Sequence, residues 1–225
     1  MSTSNVTLAQ KLCLAAFILP LTTLIVCLLL LWYISPTDAC IPWLAHCVGV
    51  WQIGIPDPIS FVFRAGMFAT VVVWWCWWYS MKAWLLFTSP TLPMWSVRHC
   101  LFIAGLACMG LAIAIALLRP DAQNIPWQFQ SSAAAVFWIA MSLAQSRTMH
   151  WLKRQQSQPW LNCAQLLWPQ RLVNMQWLLL GAYLVLSVAQ LEWQKTLEWW
   201  LLLVMSAFWL SFWPQWRHFR LVMAE

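Results

Sequence analysis

LCLAAFILPLTTLIVCLLLLWY, residues 12–33, contains no charged side chain. An α-helix rises about 1.5 Å per residue, so this run is long enough to cross the roughly 30 Å hydrocarbon core of a bilayer. Working outward from it, further apolar runs predict helices over about 12–33, 59–80, 100–118, 131–149, 172–191 and 197–213, with an outer loop over 34–58. The fourth run is interrupted near its end by Ser142, Gln145 and Ser146. The expected fold is all-α: a polytopic membrane protein, a six-transmembrane-helix bundle forming one domain over residues 1–225. An even number of spans puts both termini on one side.

The composition supports this class. The chain is 63% hydrophobic and 8% charged, with a mean hydropathy of +0.69. A soluble domain carries about 25% charged residues, so this one could not cover a water-exposed surface. The net charge of +6 reflects bases spread singly between apolar runs, not the clustered face of a nucleic-acid binder. With the N-terminus inside, Lys11, Lys82, Arg98, Arg147, Lys153, Arg154, Arg171, Arg217 and Arg220 are cytoplasmic, against Arg64, Arg119 and Lys195 outside. Asp38, Asp57, Asp121, Glu192 and Glu198 fall on the outer side. Both biases follow the positive-inside rule and predict cytoplasmic termini. The segment SRTMHWLKRQQSQPW (146–160) reads as a basic, aromatic cytoplasmic surface loop.

The first apolar run exceeds the roughly 7–15 residues of a secretory h-region, and no A-x-A-like site follows it. Cys40 follows Thr37, Asp38 and Ala39, and the acid argues against lipoprotein cleavage. The first helix is therefore expected to be retained as an anchor. The 21 tryptophans include Trp32, Trp74, Trp75, Trp77, Trp78, Trp199, Trp200, Trp213 and Trp216 near span ends, which predicts an interfacial aromatic belt.

Enzyme motifs are missing: there is no P-loop, no G-x-S-x-G, no H-E-x-x-H and no glycine-rich dinucleotide turn. His46, His99, His150 and His218 all fall near a membrane surface, so facing haem ligands within the bundle are not expected. No catalytic residue, cofactor or metal is assigned, and enzymatic activity is left open. Cys40 and Cys47 share the outer segment CIPWLAHC. A disulfide, two free thiols and a metal site with His46 all remain open for them.

Chemistry concentrates at the outer face. Arg64 sits about one turn inside the second span, where an unpaired guanidinium would be costly. Snorkelling to the headgroups, pairing with Glu198 or Asp57, and bidentate binding of a lipid phosphate are the alternatives.

The segments IPDPISFVFRAGM (55–67) and LEWWLLLVMSAFWLSFWPQWRHFR (197–220) resemble the Frag/DRAM/Sfk superfamily. That group includes the post-GPI-attachment-to-proteins factors and the damage-regulated autophagy modulators. The resemblance implies six helices with an outer loop. It singles out Phe63, Arg64 and Gly66 in the second helix and Glu198 and Trp199 in the sixth, and it suggests an Arg64–Glu198 contact. The glycolipid-remodelling members carry a His and a further Arg after the glycine, whereas GMFATVV (66–72) has neither.

The expected role is lipid or glycolipid handling, or membrane organisation, with a headgroup site near the outer face. The alternative is a small membrane subunit of a larger complex, with Gly105, Ala107 and Gly110 admitting a partner helix. A lipid transferase using outer acids and His46 is a third reading. Expected partners are membrane lipids and other membrane proteins, not nucleic acid. Short loops and abundant Trp suggest a bacterial inner (plasma) membrane.

Overall fold

The computed structural model describes residues 7–35, 40–45, 47–88, 93–118, 127–154, 163–189 and 191–218. Asp38, His46, Arg119, Asp121 and Arg220 lie outside them. Among the described residues the chain is all-α. The helices are α1 (Leu8–Ile34), α2 (Ile59–Thr88), α3 (Met94–Leu117), α4 (Trp127–Arg154), α5 (Cys163–Val188) and α6 (Gln194–Leu210). Short 3-10 turns cover Gln52–Gly54 and Gln215–His218. Four helices, α1, α2, α3 and α5, are long and apolar enough to cross a membrane.

Several helices outrun the apolar runs that predicted them. α2 continues to Thr88, α3 begins at Met94 and α5 at Cys163. The segment expected as a basic loop is helical as far as Arg154. Hydropathy marks where lipid would lie, whereas backbone hydrogen bonding continues through Lys82, Arg98, Arg147 and Arg171. α6 instead stops at Leu210, shortly before Pro214, which offers no N–H to a helix.

Each helix packs on the next, and α6 closes on α1, making a ring in chain order. Cross-contacts set the directions. Trp74 and Trp77 reach Ala16 and Cys13, so α2 runs antiparallel to α1. Arg64 reaches Leu118, setting α3 antiparallel to α2. The ring closes where the chain begins and ends. Thr7 caps α1 in a capping box with Gln10, and its hydroxyl also donates to the Trp216 carbonyl at 3.1 Å. The Gln10 amide donates to the Trp213 carbonyl at 3.2 Å. Both described ends of the chain thus meet at one end of the bundle, and the 40–58 loop occupies the other.

Proline inside α1 has a specific compensation. Pro20 cannot donate to the carbonyl four residues back, that of Ala16. The fully buried Trp74 indole donates to that carbonyl at 2.9 Å. A lipid-embedded helix has no water to satisfy such a group, so the partner must come from the protein.

The tryptophans divide by face, which corrects the aromatic-belt reading. Trp74, Trp77, Trp78, Trp199, Trp209 and Trp216 are buried, while Trp95, Trp168 and Trp193 are exposed near helix ends. Trp74, Trp77, Trp78, Met81 and Leu85 recur at three- and four-residue spacing, so they share one face of α2. That face meets Phe208, Trp209, Phe212 and Trp216. Trp77 lies edge-on to Trp209 at 4.5 Å and to Phe212 at 5.4 Å, and stacks on Trp216 at 5.1 Å. Such aromatic pairs contribute about 0.5–1.5 kcal/mol each beyond burial.

Part of α4's modest hydropathy comes from residues turned inward, while Arg147, His150, Lys153 and Arg154 toward its end are exposed. Ser142, Gln145 and Thr148 are buried. Gln176 of α5 donates to the Ser142 hydroxyl at 2.7 Å, and Gln145 donates to the Met205 carbonyl of α6 at 3.5 Å. The small residues of α3, expected to admit a partner helix, serve the bundle itself. A Cβ on Gly110 would lie 3.0 Å from the Ala133 carbonyl of α4, and one on Gly105 would lie 3.0 Å from the Trp75 ring.

Candidate functional site

The loop before α2 is built as a strap across the start of α6. Cys40 and Cys47 form a disulfide with their Cα atoms 6.6 Å apart. That consumes both thiolates, so the metal reading loses two of its three ligands, and its third, His46, lies outside the described residues. Beyond the disulfide, Val50, Trp51 and Ile53 are buried. The side chain of Gln52 accepts from the Gly49 N–H at 3.0 Å and tightens the turn. Gly54 lies against the ring of Phe63, where an added Cβ would come within 2.5 Å.

Three consecutive residues of α6 hold this strap. Glu198 Oε2 accepts from the Val50 N–H at 2.9 Å. The Trp199 indole donates to the Val48 carbonyl at 2.9 Å, and the Trp200 indole donates to the Trp43 carbonyl at 3.1 Å. The Trp43 and Trp199 rings meet edge-on at 4.7 Å. Gly49 is required for the carboxylate to approach, because a Cβ there would lie 2.8 Å from Glu198 Oε2.

Beneath the strap, between the start of α4, the end of α5 and the start of α6, lies a cavity of about 430 Å³. Its walls include Trp51, Gln52, Gln130, Tyr183, Lys195 and Glu198. The volume falls within the range of roughly 300–1,000 Å³ usual for small-ligand sites. Glu198 is 8% exposed and keeps accepting capacity, since its Oε1 takes only a long bond of 3.4 Å from the Tyr183 hydroxyl. The lining presents an acid, an ammonium, a phenol, a hydroxyl and three carboxamides. It suits recognition of a polar group of mixed charge; among the described lining residues there is no His or Cys to act as a base or nucleophile.

The residues singled out from the sequence separate into distinct jobs. Arg64 does not meet Glu198, which corrects the expected contact. Its guanidinium donates to the carbonyl of Leu118, the residue that ends α3, where a cation also matches the helix dipole. Asp57 does not pair with Arg64 either; its carboxylate accepts from the Ser60 hydroxyl at the start of α2. Phe63 is fully buried against the strap. Gly66 allows α1 to approach, since a Cβ there would run into the side chain of Thr23. Trp199 is buried as part of the clasp.

Sequence reasoning missed Tyr183, Lys195 and Gln130 as neighbours of Glu198. Lys195 carried a legible signal, because three residues before Glu198 on a helix places it on the same side. Tyr183 and Gln130 carried none, since only the ring closure brings α4 and α5 to this place. Compared with known proteins, the chain matches no family model, no curated protein and no solved structure.

Proposed function

We propose that this chain is a six-span membrane protein with cytoplasmic termini, and that the cavity beneath its strap binds a lipid headgroup at the outer face. Four helices meet the length and apolarity of a span directly. For α4, 28 residues long, the polar side chains of its middle, Ser142 and Gln145, face protein, which is compatible with a membrane setting. α6 has 17 residues, about 25 Å of helix, and the turns that follow it extend its reach. The meeting of Thr7 with Trp216 supports an even number of crossings. Lys11, Lys82, Arg98, Arg147, Lys153, Arg154 and Arg171 all lie toward that end, which supports its cytoplasmic assignment. Short loops and abundant tryptophan support a bacterial inner membrane.

The observation that carries the functional reading is the cavity at the opposite end, with a buried carboxylate and a lysine in its wall. The superfamily resemblance points to the same area, lipid handling, and three of its five singled-out residues, Phe63, Glu198 and Trp199, pack against or hold the strap. With Gly110 used inside the bundle, the complex-subunit reading loses the small-residue face that favoured it.

Native mass spectrometry of the purified protein tests the proposal. Wild type and Arg64→Ala are expected to retain a lipid, because Arg64 lies outside the cavity. Ala134→Trp, which fills the cavity from the α4 wall, is expected to lose it. Equal retention in Ala134→Trp, or a lipid-free wild type travelling with another protein at fixed stoichiometry, would overturn the reading.

A further inference from the structure

We infer that the group taken up beneath the strap is a zwitterion bearing a primary ammonium beside a phosphodiester, the chemistry of an ethanolamine phosphate headgroup. The inference rests on the headgroup reading of the cavity and specifies its ligand.

The wall carries one negative and one positive side chain, Glu198 and Lys195, on the same side of α6. No direct ion pair joins them: Glu198 takes hydrogen bonds from the Val50 and Trp51 backbone and from Tyr183. Lys195 acts on Glu198 through space, and with both groups in one wall the cavity presents a complementary surface to a ligand that carries both signs. An anionic headgroup such as phosphatidylglycerol could meet Lys195 with its phosphate but would leave the buried Glu198 carboxylate without a cation.

The surroundings distribute the two ends of the ligand. Trp51 and Tyr183 flank Glu198, and aromatic faces beside a carboxylate attract an ammonium. Glu198 Oε1 has room for a further donor, and a primary ammonium has three N–H groups to offer. A quaternary ammonium has none, so it keeps the charge attraction and the aromatic contact but makes no hydrogen bond to Oε1. Lys195 is half-buried in the same wall, one turn before Glu198 and available to a phosphate oxygen, and the Gln130 carboxamide can bond either a phosphate or the ester region.

The test uses delipidated full-length protein in detergent, titrated by native mass spectrometry with dioleoyl phosphatidylethanolamine, phosphatidylcholine and phosphatidylglycerol. The expected result is at least a roughly tenfold preference for the ethanolamine lipid. Lys195→Gln, at a half-buried position outside the clasp, should weaken that lipid about tenfold with an unchanged melting temperature. Glu198→Gln, which keeps a carbonyl for the Val50 N–H, should abolish the preference among the three. Soluble glycerophosphoethanolamine serves as a competitor: displacement of the lipid, or binding where the lipid does not bind, supports the same chemistry and separates a free ligand from a membrane one. Equal binding of the three lipids, or tighter phosphatidylglycerol, overturns this inference while leaving the lipid site standing. No binding by any lipid or by the soluble probe overturns the headgroup reading itself.

Discussion

Single atoms decide several features of this bundle. The Ala16 carbonyl has lost its helical donor to Pro20 and takes the Trp74 indole instead. Trp74→Phe keeps a ring in place but removes that donor, and should lower stability by about 1–3 kcal/mol, the cost of an unmatched buried acceptor. Adding Pro20→Ala restores an N–H at the required place, so the double variant should recover most of the loss in a detergent melting curve. Additive losses would show that the indole bond is incidental. Gly66 makes a steric counterpart. Gly66→Ala drives a methyl into Thr23 and should cost about 1–3 kcal/mol as an overpacked contact. Thr23→Ala, which removes the two nearest of the opposing atoms, should return part of it. Arg64 looked like a lipid ligand because a charged residue in an apolar run is rare. The direction of its side chain, toward the last carbonyl of α3, could not be read from that rarity.

At the scale of elements, the strap and its disulfide form one unit held by α6. Closing a seven-residue separation between Cys40 and Cys47 removes unfolded-chain entropy worth about 2–3 kcal/mol. Cys47 is exposed, so reductant reaches the bond. Reduction, or Cys40→Ser with Cys47→Ser, should lower the melting temperature in detergent and weaken retention of any lipid beneath the strap. An unchanged melting curve would mean that the clasp of Glu198, Trp199 and Trp200 alone fixes the loop. The apolar runs located all six helices, because a continuous apolar stretch of that length has few alternatives. They misplaced helix ends wherever polar residues continued the helix, as at Lys82 and Arg171. The run WWCWWYSM (74–81) was read by its density at a span end, when its three- and four-residue spacing carried the information that it faces inward.

For the whole molecule, the ring in chain order makes topology testable. A phosphatase or fluorescent reporter fused after Arg154 should report the cytoplasm, and one fused after Val188 the outer side. A bundle in which only α1, α2, α3 and α5 crossed would instead put Arg154 on the outer side and Val188 in the cytoplasm, with the C-terminal end cytoplasmic in either case. A reporter on the outer side after Arg154, or on the cytoplasmic side after Val188, would therefore overturn the six-span arrangement. The candidate site was half legible. Glu198, Trp199 and the paired cysteines stood out, while their neighbours Tyr183 and Gln130 come from α5 and α4 and became neighbours only on closure of the ring.

The sequence by itself determined the all-α class, the six helices found among the described residues and the chemical types gathered toward each end. Those properties depend on summed hydropathy and charge along the chain, which need no knowledge of neighbours. Tertiary structure alone decided which tryptophans fill the core, that Arg64 ends α3 instead of meeting Glu198, and that Glu198 and Lys195 share a cavity. Each of those depends on which way a side chain points around its helix and on which helix lies beside it, and packing settles both.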